Sequence, residues 1–384
     1  KKILLKFNIN DVLKKYHSLW RSFFKKKKIL FIIPKLEGGG AEKVISNLTS
    51  DFIKKNFNVD LLLFGNHSQK KYHTHKDIKI TYLNKKRSLF AFIALLKIFF
   101  KGNYDFAIST IVQANILSIL AKILTLSKIK LIVRETNTPS TILKFDFNLK
   151  NLQFVYLRKI YNFSNLIICN SLGAKNDLIK LNINKSKIFI LPNSLNFKNI
   201  NIDSKKFIPN VKKPYLIYAG SFSKQKNLEL MIEAFSEFHK TNKQFSLQLY
   251  GDGIRKEKLK NLIKDLKLSK KIRLNKFKSN IYPYIRHSSA LLMSSNWEGM
   301  SNIAQEALIL NKKVLLTACE SGPKELKNFG YRFFLTSVNS NKNYIKNLIL
   351  LTKLKNINNE SINEKYFKLY EVSLKKLLWR MEKI

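Results

Sequence analysis

The strongest constraint on what this chain can fold into is a repeated alternation. Short apolar runs recur along it, each closed by a glycine, proline or polar turn and followed by a stretch with helical periodicity. In the first half the runs are KILFII (28–33), VDLLLF (59–64), IKITYL (78–83), DFAISTI (105–111), KLIVRE (130–135), LIICNS (166–171) and KIFILPNSLN (187–196). In the second half they are PYLIYAGS (214–221), FSLQLYGDG (245–253), KIRLNKF (271–277), SALLMSS (289–295) and VLLTACE (314–320). Unbroken apolar strands of this length belong in a parallel sheet covered on both faces. Two such series are separated by a polar Asn- and Lys-rich stretch at 196–213, which reads as a hinge. The pattern predicts an α/β fold of two Rossmann-like domains facing each other across a cleft. The expected divisions are a leader at 1–28, a first domain at 29–196, a second at 197–363 and a closing helix at 364–384.

Charge narrows the partners. Lys and Arg number 71 against 25 Asp and Glu, a net charge of +46. An AT-rich genome would raise Glu along with Lys, yet Glu is scarce, so codon bias does not account for the excess. A field this positive draws polyanions, either nucleic acid or an anionic membrane surface. The sequence has no RNA-recognition signature or zinc spacing, and several cationic runs adjoin apolar ones. An anionic membrane is therefore the expected partner, and nucleic acid is not. Residues 1–28 show no cleavage site and no long apolar run, so they do not read as a secretory signal. Within them Val12, Leu13, Tyr16, Leu19, Trp20, Phe23 and Phe24 recur at helical spacing among lysines and arginine. That fits a basic amphipathic helix in the headgroup region, or equally a helix packed on the protein body. The apolar run 89–100 is too short to span a bilayer and is interrupted by Lys97. It is either a buried helix or one that dips into the membrane face, with Lys85, Lys86, Arg87, Lys97 and Lys101 at the headgroups. The two cysteines, Cys169 and Cys319, have no metal or redox spacing and suit buried thiols in a reducing compartment.

The chemistry concentrates in 293–325, MSSNWEGMSNIAQEALILNKKVLLTACESGPKE. Glu298 sits on a loop entering the helix pattern IAQEALIL, and Glu306 lies inside that pattern. Between them Gly299, Met300, Ser301 and Asn302 bring backbone N–H groups to a helix N-terminus, which favours a phosphate. An anion site flanked by two hydroxyl-accepting carboxylates suits a nucleotide sugar. A second loop, Gly38, Gly39 and Gly40, joins the first strand to a helix, a geometry that lets backbone approach a phosphate or sugar. It is neither a Walker loop nor a full GxGxxG.

The spacing Glu298-x7-Glu306, followed by Ser321-Gly322-Pro323-Lys324-Glu325, resembles the retaining glycosyltransferases of the GT-B fold. Within these it is similar to family 4 (group 1), which builds lipopolysaccharide, capsule and other bacterial surface glycans. The resemblance spans 28–380 and implies a closing helix that crosses back to the first domain. It implies transfer from a nucleotide-diphosphate donor, commonly a UDP-sugar, to a polyprenyl-diphosphate-linked or lipopolysaccharide-type acceptor. The setting would be the inner membrane face, with peripheral attachment and no metal or other cofactor. Residue by residue, Glu306 would hold the ribose and Glu298 the donor sugar. Lys226, Gly220 and Ser221 would meet the diphosphate together with the amides of 299–302. Tyr282 would line the base pocket, and the glycine loop would face the acceptor or the donor phosphates. Two departures stand out. Ser221 replaces an arginine that relatives use on the diphosphate, and no histidine lies near Thr136, leaving Arg134 or Asn137 to take that polar role. They keep open a catalytically weakened nucleotide-sugar or lipid binder, and the charge alone keeps a nucleic-acid binder as a more distant alternative.

Overall fold

The computed structural model describes residues 26–65, 74–84, 88–354 and 357–384 and contains two fully parallel sheets. The first comprises β1 (Lys28–Ile33), β2 (Asn58–Leu63), β3 (Lys79–Tyr82), β4 (Phe106–Thr110), β5 (Lys130–Glu135), β6 (Leu166–Cys169) and β7 (Ile188–Ile190), ordered β3-β2-β1-β4-β5-β6-β7. The second comprises β8 (Tyr215–Ala219), β9 (Ser246–Tyr250), β10 (Ile272–Asn275), β11 (Ala290–Leu292), β12 (Val314–Thr317) and β13 (Phe334–Thr336), ordered β10-β9-β8-β11-β12-β13. The two-lobed α/β architecture is the one the alternation predicts. Strand β13 is not among the runs that the sequence marks.

The runs are unbroken because both faces of each sheet are covered. From β1, Ile29, Phe31 and Ile33 join Ile45, Leu48 and Phe52 of the helix Gly40–Lys54. Leu30 and Ile32, on the opposite face, join Leu95 and Phe99 of the helix Ser88–Lys101. In each sheet the strand order reverses once, between β1 and β4 and between β8 and β11. Connections diverge there, and the strand ends leave a crevice. The glycine loop follows β1, the turn Lys224–Lys226 follows β8, and the Glu298 loop follows β11.

The closing helix, Glu360–Lys383, begins earlier than 364 and is shared between lobes. Its Tyr366 packs with Leu326, Tyr331 and Phe333 in the second lobe. Its Tyr370, Leu374, Leu377 and Met381 complete the core of the first. The stretch 196–213 is not wholly a flexible hinge. It holds the helix Phe197–Ser204, started by the Asn196 side chain accepting from the Asn199 N–H at 3.0 Å, with Ile200 buried in the second core. Asparagine is a strong helix-starting residue, and the polar composition hides that signal.

The run 89–100 divides its residues. Ala91, Leu95 and Phe99 face the core, whereas Phe90, Ile93 and Phe100 are exposed. Beside them, on the adjoining helix Val112–Leu124 and the turn after it, Ile123, Leu124 and Leu126 are exposed too. Lys97, Lys101 and Lys128 are exposed among these residues. Among the described residues no helix is long and apolar enough to cross a membrane. Residues 1–25 of the expected leader, and Lys85, Lys86 and Arg87, lie outside the described residues.

Candidate active site

Lys226 and Glu298 are brought together by two stapled loops at the β8/β11 reversal. Ser294 Oγ donates to the carbonyls of Lys226 and Asn227 at 2.9 and 2.8 Å. The Asn296 N–H donates to the Gln225 carbonyl at 2.8 Å, and Gln225 Nε2 donates to the Trp297 carbonyl at 2.9 Å. With the backbones fixed, the Lys226 ammonium pairs with the Glu298 carboxylate, which also accepts from Ser295 Oγ at 2.8 Å. Glu298 is buried, so this ion pair is shielded from water and strengthened accordingly. Cys319 lies beneath, with burial pushing its thiol up to about 12. Both cysteines are buried and free, as expected. Gly220 follows β8, and Ser221 is exposed with its Oγ 3.1 Å from Ser223 Oγ.

Glu306 lies in the helix Asn302–Ile309, slightly more than one turn from its start. Its carboxylate is almost wholly buried, and Lys43 Nζ of the first lobe stands 2.5 Å away. The same ammonium bonds the Tyr282 hydroxyl and lies 4.5 Å from the centroid of that ring. Asn302 crosses the seam as well, its Nδ2 donating to the Gly40 carbonyl at 2.7 Å. Asn193 Nδ2 donates to Asn302 Oδ1 at 2.7 Å and to the Met300 carbonyl at 3.0 Å. Ser301 is buried, its hydroxyl directed at Met293 Sδ. Thus Glu298, Met300, Asn302, Glu306, Tyr282 and Lys226 share one seam with Gly40.

Three expected residues are placed differently. Arg134 does not line the cleft. It is 2% exposed, its Nη2 donates to Asn193 Oδ1 at 2.9 Å, and burial pulls its guanidinium down to about 10. Among the described residues its guanidinium meets the seam through Asn193. The amides of Gly38 and Gly39, expected to face a phosphate, donate to the Glu42 carboxylate at 2.7 and 3.0 Å. Glu42, the third residue of the helix Gly40–Lys54, reaches back as a capping carboxylate, and burial raises its pKa. The Asn137 N–H donates to Glu135 Oε1 at 3.3 Å. Glu135 is itself paired with Arg158 at 2.6 Å in the interior.

Around the site the lobes touch closely. Phe145 stacks on Trp297 at 5.9 Å, Lys144 meets Glu320 at 2.5 Å, and Lys224 meets Asp146 at 2.8 Å, holding that carboxyl below its usual range. Glu325 accepts from the N–H groups of Leu172 and Gly173 at 2.8 and 2.9 Å, capping the helix Leu172–Lys180 from the other lobe. Backbone meets backbone at Gly299, where a Cβ would stand 2.0 Å from the Thr136 carbonyl oxygen. The sequence alone does not single out Lys43, Asn193 or Glu325 as site residues. The GGGAEK, Pro-Asn and SGPKE blocks hold them, but their roles depend on contacts between lobes.

Two doubly wound lobes, a helix returning from the second to the first, and paired carboxylates and lysines at the facing strand ends define a two-lobed transferase of the GT-B type. The chain belongs to the group 1, family 4 glycosyltransferases. The model of "Glycosyl transferases group 1" matches residues 199–366 and that of "Glycosyltransferase Family 4" residues 38–198. The chain is 28% identical over 313 residues to a Campylobacter jejuni protein, covering 78% of this chain and 83% of the relative. That protein is named N-acetylgalactosamine-N,N'-diacetylbacillosaminyl-diphospho-undecaprenol 4-alpha-N-acetylgalactosaminyltransferase. Among solved structures, Anabaena HepE superposes with a TM-score of 0.67 at 16% identity, covering 90% of this chain and all of that one. TarM of S. aureus superposes with a TM-score of 0.71 at 13% identity, covering 92% and 99%. The chain is thus a bacterial-type glycan-building glycosyltransferase in its family and its fold.

Proposed function

We propose that this glycosyltransferase moves a sugar from a nucleoside-diphosphate donor, uridine being the first base to test, to a hydroxyl of a lipid-linked glycan. The acceptor class is a polyprenyl-diphosphate-linked or lipopolysaccharide-type saccharide, which the name of the Campylobacter relative supports. The observation that carries the reading is the double pairing at the seam, with Glu298 on Lys226 and Glu306 on Lys43, on either side of a helix start. Glu306 accepts the ribose hydroxyls, and Glu298 accepts hydroxyls of the transferred sugar. Lys226 and the amides of 299–302 take up the charge that develops on the leaving diphosphate, and stabilising such charge is usually what lowers an enzyme's barrier most. The anomeric configuration is retained, and no divalent ion is needed. The protein works at the inner face of the cell membrane. The exposed row Phe90, Ile93, Phe100, Leu124 and Leu126 between Lys97, Lys101 and Lys128 meets an anionic bilayer there.

A thermal-shift screen with UDP, GDP and their sugars, with and without chelator, tests the donor half. A true donor at a hundred times its Kd stabilises by about 2.7 kcal/mol through mass action. Glu306→Gln is expected to lose most of that shift while melting normally without ligand. No shift from any nucleotide would overturn the reading. A shift without donor hydrolysis would make the protein a binder instead. Retention on RNA in preference to anionic vesicles at matched salt would overturn the membrane part.

A further inference from the structure

Lys43 has no part in the family pattern read from the sequence, yet its side chain crosses the seam. It belongs to the first turn of the helix Gly40–Lys54, directly after the glycine loop of the first lobe. Its ammonium ends in the second lobe, 2.5 Å from Glu306 Oε1, bonded to the Tyr282 hydroxyl and 4.5 Å from that ring's centroid. Those two side chains are the ribose-holding and base-lining groups of the donor reading, on which this inference rests. The neighbouring Gly40 carbonyl accepts from Asn302 at 2.7 Å, so this turn touches the second lobe at two points.

We propose that Lys43 is a positioning residue for the nucleoside half of the donor, tying occupancy of that half to the glycine loop of the acceptor lobe. Glu306 is 1% exposed. A carboxylate that deep needs a counter-charge, and Lys43 supplies it. A carboxylate offers about four lone-pair sites, so the ribose hydroxyls and Lys43 can share it. The Lys43 ammonium has three donors: one is given to the Tyr282 hydroxyl, the charge pairs with Glu306 Oε1, which has no other hydrogen-bond partner among the described residues, and the remaining N–H groups can turn to a ligand seated there. Because Lys43 arrives from the opposite lobe, a nucleoside seated on Glu306 and Tyr282 is gripped from both sides, and the loop 38–40 is drawn in with it. A bare diphosphate, held by Lys226 and the amides of 299–302, would not engage this contact.

The test measures binding of UDP and of inorganic pyrophosphate to the full chain, the wild type beside Lys43→Gln, Lys43→Arg, Glu306→Gln and the Lys43→Gln/Glu306→Gln double variant. Lys43→Gln is expected to weaken UDP by about 10- to 100-fold, the range for a hydrogen bond to a charged group. Pyrophosphate should move by less than about twofold, and Lys43→Arg should recover most of the loss. The double variant should bind UDP no more weakly than Glu306→Gln, because the two residues act through one contact. UDP should slow amide exchange in the loop 38–40 of the wild type and not of Lys43→Gln, a readout that a purely structural lysine would leave unchanged. Equal losses for UDP and pyrophosphate, or UDP binding unaltered in Lys43→Gln, would overturn the role of Lys43 alone. A wild type that binds no nucleoside diphosphate would overturn both this inference and the donor reading.

Discussion

Gly299→Ala is the sharpest perturbation of the seam. Its Cβ would stand 2.0 Å from the Thr136 carbonyl oxygen and 3.2 Å from Asn170 Oδ1, both in the opposite lobe. A carbon and a carbonyl oxygen in ordinary contact stand about 3.3 Å apart. The lobes must therefore part by about 1.3 Å at this point. The carbonyl is a poor candidate to yield, since it follows β5 directly and accepts from Asn170 Nδ2 at 3.3 Å. Glu298 is the preceding residue on the loop, so the gap opens beside the transferred sugar. A misplacement of about 1 Å costs about 100-fold in rate, or about 2.7 kcal/mol of barrier. Neither lobe's core is touched, so the melting temperature should hold within about 1 °C, the shift expected for about 1 kcal/mol in a chain of this size. The assay is nucleotide release under saturating donor and acceptor, with a melting scan of the same sample. Gly322→Ala is the control, because its Cβ would lie 1.8 Å from the Gly299 carbonyl in the same lobe and should lower the melting temperature instead. Turnover of Gly299→Ala within about threefold of wild type would refute the idea that this contact sets the working distance.

Two further outcomes test the architecture. Lys312 is held down to about 8 by burial and by Lys313, Arg286 and Lys213, against an ordinary 10.5. Between those values the unfolded chain keeps a proton that the folded chain has released, so stability rises with pH across the window and the penalty is complete below pH 8. Lys312→Met should therefore be more stable than wild type at pH 7, by about 1 to 3 kcal/mol, with the gap closing towards pH 10.5. A gap independent of pH would refute the assignment. Leu377→Ala, in the returning helix, should cost about 2 to 5 kcal/mol. Amide exchange should quicken in β1 and β2 and not in β8 and β9, and equal effects in both lobes would contradict its place in the first core.

What can be read from the sequence follows from how local the cause is. The runs 28–33 and 130–135 are β1 and β5 residue for residue, because strands covered on both faces leave no ambiguity of period. Strand β13 escapes because it is three residues long at a sheet edge, with Phe334 only half-buried. Glu298, Glu306 and Lys226 can be found because their motifs come in a fixed order along the chain. Lys43 cannot, being one of 71 cations whose meaning lies in a contact with residues more than two hundred positions away. Arg134 reads as a cleft residue because it ends a strand facing the cleft. The side chain is long enough to fold beneath Asn193, and end-of-strand position alone does not determine that choice.

The returning helix also bears on biosynthesis. One wall of the first sheet is finished only by Tyr370, Leu374, Leu377 and Met381. At ordinary translation speeds of about 5 to 20 residues per second, these emerge some 10 to 40 s after Ile190 ends β7. The nascent first lobe thus waits on the ribosome with an oily flank uncovered, beneath Ile45, Leu48 and Phe52. Maturation of the amino-terminal half is coupled to completion of its partner, and a trigger-type chaperone would find its binding surface there.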